Sequence, residues 1–242
     1  REGTAVDDFF NPDRIVVGGN NPLKLKKLKE LYKDFEAEII TTDPISSQLI
    51  KYLSNTYLPL RLSFANEAAR LVNSSGGNLD DVLKGVGMDS RIGQHYFRPS
   101  PAWGGSCFPK DVVEVNNFYD PNKVSLPLIA NIIESNKIQT EWTTNMLKSI
   151  HDEKKLDGIV LVGAAFKEDT DDLRNSPTTE VFKKLKSSIE NVVIFDEIIH
   201  DKDIVKFDYL EGLHSSHLFV LMYPIKESTL NRLNKIIEDS NS

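Results

Sequence analysis

The chain of 242 residues sets 36 acidic side chains against 29 basic ones, and its net charge of -7 excludes a general grip on nucleic-acid phosphates. Hydrophobic residues at 40% and charged residues at 27% suit one or two soluble cores, with no run near the roughly 20 apolar residues of a membrane span. A single cysteine cannot close an intrachain disulfide, which points to a free thiol and a reducing compartment, the cytoplasm.

Residue 1 is arginine, so the chain reads as a piece that begins inside a longer protein, with no signal peptide at its start. The apolar run Ile15-Val16-Val17 ends in Gly18-Gly19 and predicts a buried strand. A helix follows from Pro22 to Phe35. Lys24, Lys26, Lys27, Lys29 and Lys33 form its wet side, and Leu25, Leu28, Leu31 and Tyr32 its dry side. Glu38-Ile39-Ile40 is a short strand. Asp43-Pro44 then supplies an N-cap and a first-turn proline to a helix that runs to about Asn73. At 1.5 Å per residue it spans about 45 Å. Pro59 lies inside it and has no amide for the carbonyl four residues earlier, which predicts a kink near Asn55 and not a break.

Asn78 caps a short helix that ends at Gly85 and Gly87. Residues 88–111 form a long aperiodic loop, the kind that more often carries function than filler. A short helix from Asp111 to Tyr119 and a long one from Leu126 to about Glu153 follow. Beyond them the pattern changes to strands at 158–166, 192–196 and 218–222, alternating with helices at 178–187 and 228–239. Continuous apolar strands between helices describe a parallel sheet covered on both faces. The fold class is therefore α, then α/β. Residues 1–20 are a separate leading remnant, 21–155 an all-helical central domain with a long helix, and 156–242 a parallel-sheet domain.

Three stretches concentrate chemistry. Trp103-Gly104-Gly105-Ser106-Cys107-Phe108-Pro109-Lys110-Asp111 surrounds the one thiol with two glycines, a cation and a carboxylate, a setting for a nucleophile. Taken alone, the same residues also suit a tight turn around a small buried thiol. Lys51 and Asn55 stand four apart on one helix face, where ammonium and amide can both donate to an oxyanion. In isolation that pair equally describes a polar surface. The segment from Phe166 to Pro177 follows a buried strand, the place where α/β sheets bind ligands, and Lys167 and Arg174 suit phosphates there. His95, His151, His200, His214 and His217 make no metal-site pattern.

These stretches occur together in one order and spacing. Arg-Glu-Gly-Thr-Ala-Val-x-Asp, Asn-Pro-Asp-Arg-Ile-Val-Val-Gly-Gly, Lys51-x-x-x-Asn55, the Cys107 stretch and Phe166-Lys167-x-Asp169-Thr170-x-Asp172-x-Arg174-x-Ser176 together resemble the UDP-glucose 6-dehydrogenases, within the UDP-glucose/GDP-mannose dehydrogenases. The resemblance covers nearly the whole chain. It implies an enzyme that oxidises UDP-glucose to UDP-glucuronate with two NAD+ through a thiohemiacetal and a thioester on Cys107.

The resemblance also implies roles. Lys51 and Asn55 would stabilise the oxyanion, and Asp111 would help to activate the hydrolytic water. Glu2, Arg91, Gly104, Phe108, Lys110, Phe166 and Lys167 would hold the UDP-sugar, and Arg174 the NAD+. Arg91 would reach a neighbouring subunit's site, and the long helix from Pro44 would form a homodimer core. The central domain would thus be the dimerisation domain and the last one a Rossmann-like UDP-binding domain, incomplete at its end. The NAD-binding domain would be missing except for residues 1–20. No Gly-x-Gly-x-x-Gly occurs in the chain, so the 242 residues by themselves would transfer no hydride. Two alternatives stay open: a dimerising UDP-sugar-binding module only, or a parent enzyme for another nucleotide sugar such as GDP-mannose. Ala102-Trp103 stands where the family has Gly-Phe, and the family's Glu-Phe-Leu segment and closing strand are absent.

Overall fold

A computed structural model describes residues 3–118, 124–199, 201, 204–205 and 216–239. It is rich in helix, with parallel sheets, and divides into two compact units, Arg1–Tyr57 and Leu58–Ser242.

In the first unit α1 (Ala5–Phe10) precedes β1 (Arg14–Gly18), and α2 (Pro22–Leu31) leads to β2 (Glu38–Thr42). The two strands pair in parallel, Ile15 opposite Ile39 and Val16 opposite Ile40. Their β-branched residues suit a pleated ladder. The stretch 21–155 is therefore not all-helical, because β2 falls inside it. The Asn21 side chain caps α2 by accepting from the amides of Leu23 (3.0 Å) and Lys24 (3.1 Å). The dry side expected of α2 is not buried: Leu28 is 41% exposed and Leu31 68%. A two-stranded sheet has too little area to cover a whole helix face. α3 (Pro44–Ser75) starts at Asp43 and runs unbroken through Pro59.

In the second unit the remainder of α3 is followed by α4 (Leu79–Gly87), α5 (Phe108–Phe118), α6 (Pro127–Ala130) and α7 (Ile132–Lys154). The Asn78 side chain caps α4 as expected, accepting from the Asp81 amide at 3.1 Å. The single long helix expected from Leu126 is two helices. Asn131 separates them and donates its side-chain amide to the Pro127 carbonyl at 2.6 Å, a local bond that competes with the helical ladder. Trp103, Val112 and Ile132 form a small core with Leu60, Phe108 and Ile129 against them.

β3 (Gly158–Val162), α8 (Pro177–Lys186), β4 (Val192–Phe195), β5 (Ile204–Val205), β6 (His217–Leu221) and α9 (Glu227–Asp239) complete the unit. The sheet is wholly parallel, in the order β5-β4-β3-β6. Period-2 alternation divides its side chains between two cores. Ile159, Leu161 and Ile194 pack on one face with Val181 and Leu185 of α8 and Leu147 of α7, whereas Val160, Val162 and Phe195 meet Leu233 of α9 on the other. Every residue of β3 is buried, the mark of a central parallel strand. The chain leaves β3 toward β4 and β5 and returns to the opposite edge as β6. The carboxyl ends of β3 and β6 therefore flank the topological switch point, where open parallel sheets bind ligands.

Candidate active site

Cys107 is exposed, which overturns the small buried thiol as a reading of its stretch. It stands immediately before α5, and its carbonyl accepts the Asp111 amide at 2.9 Å, the first bond of that helix. The thiol therefore lies at the amino end of an 11-residue helix, with Ser106 Oγ 3.7 Å from its sulfur. Helix amino ends favour negative charge on a bound group. Asp111 is fully buried in the first turn, and the exposed Lys110 holds its ammonium 3.7 Å from Asp111 Oδ1. Phe108 is half-buried, its ring 6.3 Å from that of Tyr96.

The loop from β3 to α8 is built from buried polar residues. Ser176, fully buried, donates its hydroxyl to the carbonyls of Ala164 (2.6 Å) and Ala165 (3.3 Å), and Thr178 donates to Gly163 O (2.8 Å). These bonds tie the start of α8 to the end of β3. Arg174 forks onto Asp172, Nε to Oδ1 at 2.8 Å and Nη2 to Oδ2 at 2.9 Å, with its side chain 65% exposed. Lys167 holds its ammonium 5.8 Å from the centroid of the Phe166 ring.

The two stretches meet. A Cβ on Gly104 would overlap the Asn175 carbonyl oxygen, and a Cβ on Gly105, at φ +91°, would come 2.9 Å from the Phe166 ring. Asn175 Nδ2 donates to Gly105 O at 3.1 Å. Side chains at 104 and 105 are excluded because two loops touch there, backbone against backbone and backbone against ring. The Cys107 loop and the Phe166, Lys167 and Arg174 loop thus form one surface.

Other expected residues belong to neither loop. Lys51 and Asn55 share a face of α3 in the first unit; Lys51 is exposed, 4.8 Å from the centroid of the Tyr52 ring, and Asn55 is half-buried. Arg91 follows α4 and is 87% exposed, its guanidinium 2.6 Å from Asp89 Oδ2. That hydrogen bond holds the Asp89 carboxyl below the usual carboxylate range and raises Arg91. Glu2, His200 and His214 lie outside the described residues.

At the switch point Gly163, at φ +98°, faces Tyr223, whose ring would stand 2.6 Å from a Cβ there. Tyr223 donates its hydroxyl to Asp196 Oδ2 at 3.2 Å; burial first, and then the Asp196 charge, push the phenol well above its ordinary value. Asp196 also accepts from the amides of Ala164 (2.9 Å), Ile198 (2.8 Å) and Ile199 (3.1 Å). The tyrosine ring and the carboxylate do not close this crevice: with Gly163, Lys226, and Glu168 and Asp169 of the β3–α8 loop, they line an open cavity. Sequence reasoning missed Tyr223, Asp196 and Asn175; the position of Asp196 directly after an apolar strand was the one available signal.

Profiles of a single family match the chain along most of its length. The NAD binding domain of the UDP-glucose/GDP-mannose dehydrogenase family matches residues 1–36, the central domain 45–138 and the UDP binding domain 160–231. The chain belongs to the UDP-glucose/GDP-mannose dehydrogenase family. Cys107 falls within the central-domain match, and the β3–α8 loop within the UDP-binding match. NAD is the cofactor named for the domain that residues 1–36 match.

UDP-glucose 6-dehydrogenase of Rickettsia felis is 40% identical over 202 residues, covering 82% of this chain and 45% of the relative. UDP-glucose 6-dehydrogenase 4 of Arabidopsis thaliana is 33% identical over 234 residues, covering 88% and 48%. The structure of a UDP-glucose dehydrogenase from Pyrobaculum islandicum superposes with a TM-score of 0.73 at 29% identity, over 95% of this chain and 51% of that one. The chain spans about half the length of the curated relatives it matches.

Proposed function

We propose that the chain forms the sugar-nucleotide and thiol part of a UDP-glucose 6-dehydrogenase. The observation that carries this reading is the junction of Gly104 and Gly105 with Phe166 and Asn175, which sets an exposed thiol beside a loop bearing Lys167 and Arg174. Its finer architecture is a helical central domain followed by a Rossmann-like UDP-binding domain, and the order β5-β4-β3-β6 supports the latter.

In this reading the cysteine loop and the β3–α8 loop hold UDP-glucose. Gly104, Phe108 and Lys110 lie on the sugar side, and Phe166 and Lys167 on the nucleotide side, with Glu2 and Arg91 as further sugar-nucleotide contacts. The Cys107 sulfur adds to the C6 aldehyde, its proton leaves, and a thiohemiacetal forms. Lys51 and Asn55 donate hydrogen bonds to the oxygen that becomes negative in that addition. After oxidation at the same carbon, water attacks the thioester with help from Asp111; the carboxylate and the thiol are the products.

NAD+ supplies the hydride acceptor for both oxidations, two per sugar. An exposed Arg174 forked onto Asp172 is not by itself a dinucleotide site, and the chain holds no Gly-x-Gly-x-x-Gly. The 242 residues alone accordingly bind sugar nucleotide without transferring hydride. α3 carries Ile45, Leu49, Leu53, Tyr57, Phe64 and Leu71 exposed at spacings of four and seven, which supports a homodimer through this helix. The exposed thiol supports a reducing compartment, the cytoplasm.

Calorimetric titration with UDP-glucose, UDP and GDP-mannose tests the reading. Binding of UDP-glucose and UDP but not GDP-mannose is expected. Binding of GDP-mannose alone would transfer the reading to that sugar nucleotide, and no binding at all would refute a site on these residues.

A further inference from the structure

The segment leading to the cysteine is clamped along its length. Trp103 donates its amide to Asn136 Oδ1 (2.9 Å), accepts from Asn136 Nδ2 at its carbonyl (2.8 Å), and donates its indole N–H to Ser63 Oγ (2.9 Å). Gln139 and Thr143, on the same face of α7 as Asn136, donate to the carbonyls of Ser100 (2.9 Å) and Pro101 (3.0 Å). On the other side of the thiol, the Cys107 carbonyl is already committed to α5. Between these fixed points lie Gly104, Gly105 and Ser106, two of them residues with free backbone rotation.

Beside the packing of the Asn175 carbonyl and the Phe166 ring against it, one side chain hydrogen-bonds to that joint. Asn175 Nδ2 donates to Gly105 O at 3.1 Å, and its own backbone sits at φ +49°, a left-handed conformation that asparagine tolerates better than most residues. Its position is set by the next residue, Ser176, which is locked to the end of β3. We propose that Asn175 is a positioning residue for Cys107: it fixes the Gly105 peptide, the movable joint of the thiol's loop, and so couples the direction of the thiol to the β3–α8 loop. Without the bond, the loop spends part of its time with the thiol turned away from the surface. The assignment deepens the reading of Cys107 as the reacting thiol and rests on it.

The chain's single cysteine makes the test direct and needs no sugar nucleotide, so its outcome is separate from whether UDP-glucose binds. The second-order rate of alkylation by iodoacetamide is measured across pH for the full chain and for Asn175→Gly, Asn175→Asp and Asn191→Ala. Glycine keeps the positive φ and loses the donor. Aspartate keeps the shape and loses the donor. Asn191 donates a bond of the same length, 3.1 Å, to Asp157 O at the amino ends of β3 and β4, remote from the thiol's loop.

Both Asn175 variants are expected to react more slowly, by up to about fivefold, the largest fall that a fivefold change in the loop's equilibrium from one net hydrogen bond supports. The fall lies in the high-pH plateau, and Asn191→Ala reacts like the wild type. An Asn175→Gly rate equal to that of the wild type overturns the proposal, as does a fall confined to Asn175→Asp. An equal fall in Asn191→Ala, or a shifted profile with an unchanged plateau, overturns it too. Should Asn175→Asp fail to fold, Asn175→Gly decides alone, because glycine adopts that backbone without strain.

Discussion

Gly104 stands where a Cβ would run into the Asn175 carbonyl and come 3.0 Å from Pro177 Cδ. Backbone and a proline ring cannot move aside as the tip of a flexible side chain can. Gly104→Ala should therefore part the two loops and weaken UDP-glucose binding at least about tenfold, roughly 1.4 kcal/mol by calorimetry. Unchanged affinity would remove Gly104 from the sugar site. Ser176→Ala should lower stability by about 1–3 kcal/mol in urea denaturation, because it strips a buried donor from the Ala164 and Ala165 carbonyls. Cys107, Lys110 and Asp111 were legible as a group because unusual residues stand side by side in the chain. Asn175 was not, because its meaning lies in a carbonyl 70 residues away.

Caps and strands were the most legible elements, being local. Asp43 and Asn78, read as caps, each start a helix with a side-chain oxygen on a first-turn amide, and so does Asn21, which was not read as one. At Asp43 the hydroxyl of Ser46 (2.6 Å) and then its amide (2.9 Å) hold the carboxyl below its ordinary 3.8. A carboxyl depressed on folding stabilises fully above its unfolded value, and the gain is lost as pH falls through the folded value. Asp43→Ala should accordingly lower the thermal midpoint near neutral pH and lower it less at about pH 2. An equal effect at both would show that the charge takes no part. The interruption at Asn131 was hidden because asparagine is tolerated inside helices, and only a specific bond to Pro127 reveals the break. α1 and the two-residue β5 went unread, being too short to display a period.

On α3 (Pro44–Ser75), exposed apolar residues run the length of the helix. Exposed singly such residues are ordinary, but a stripe on one element marks an interface. With a homodimer through α3, Leu53→Glu combined with Leu71→Glu should halve the molar mass measured by light scattering while the circular dichroism of the chain is kept; both leucines are exposed, at 48% and 67%. A mass unaffected by the pair would move the interface elsewhere.

By itself the sequence determined the kinds of element and the family. Apolar runs, caps and motif spacing are local or linear properties, and the parallel sheet follows from alternating strands and helices. Only the tertiary structure decided that Cys107 is exposed at a helix start, that Tyr223 and Asp196 line the switch point, and that the cysteine loop lies on the β3–α8 loop. Each depends on which distant surfaces exclude one another, and steric exclusion between residues far apart in the chain leaves no period for a sequence to show.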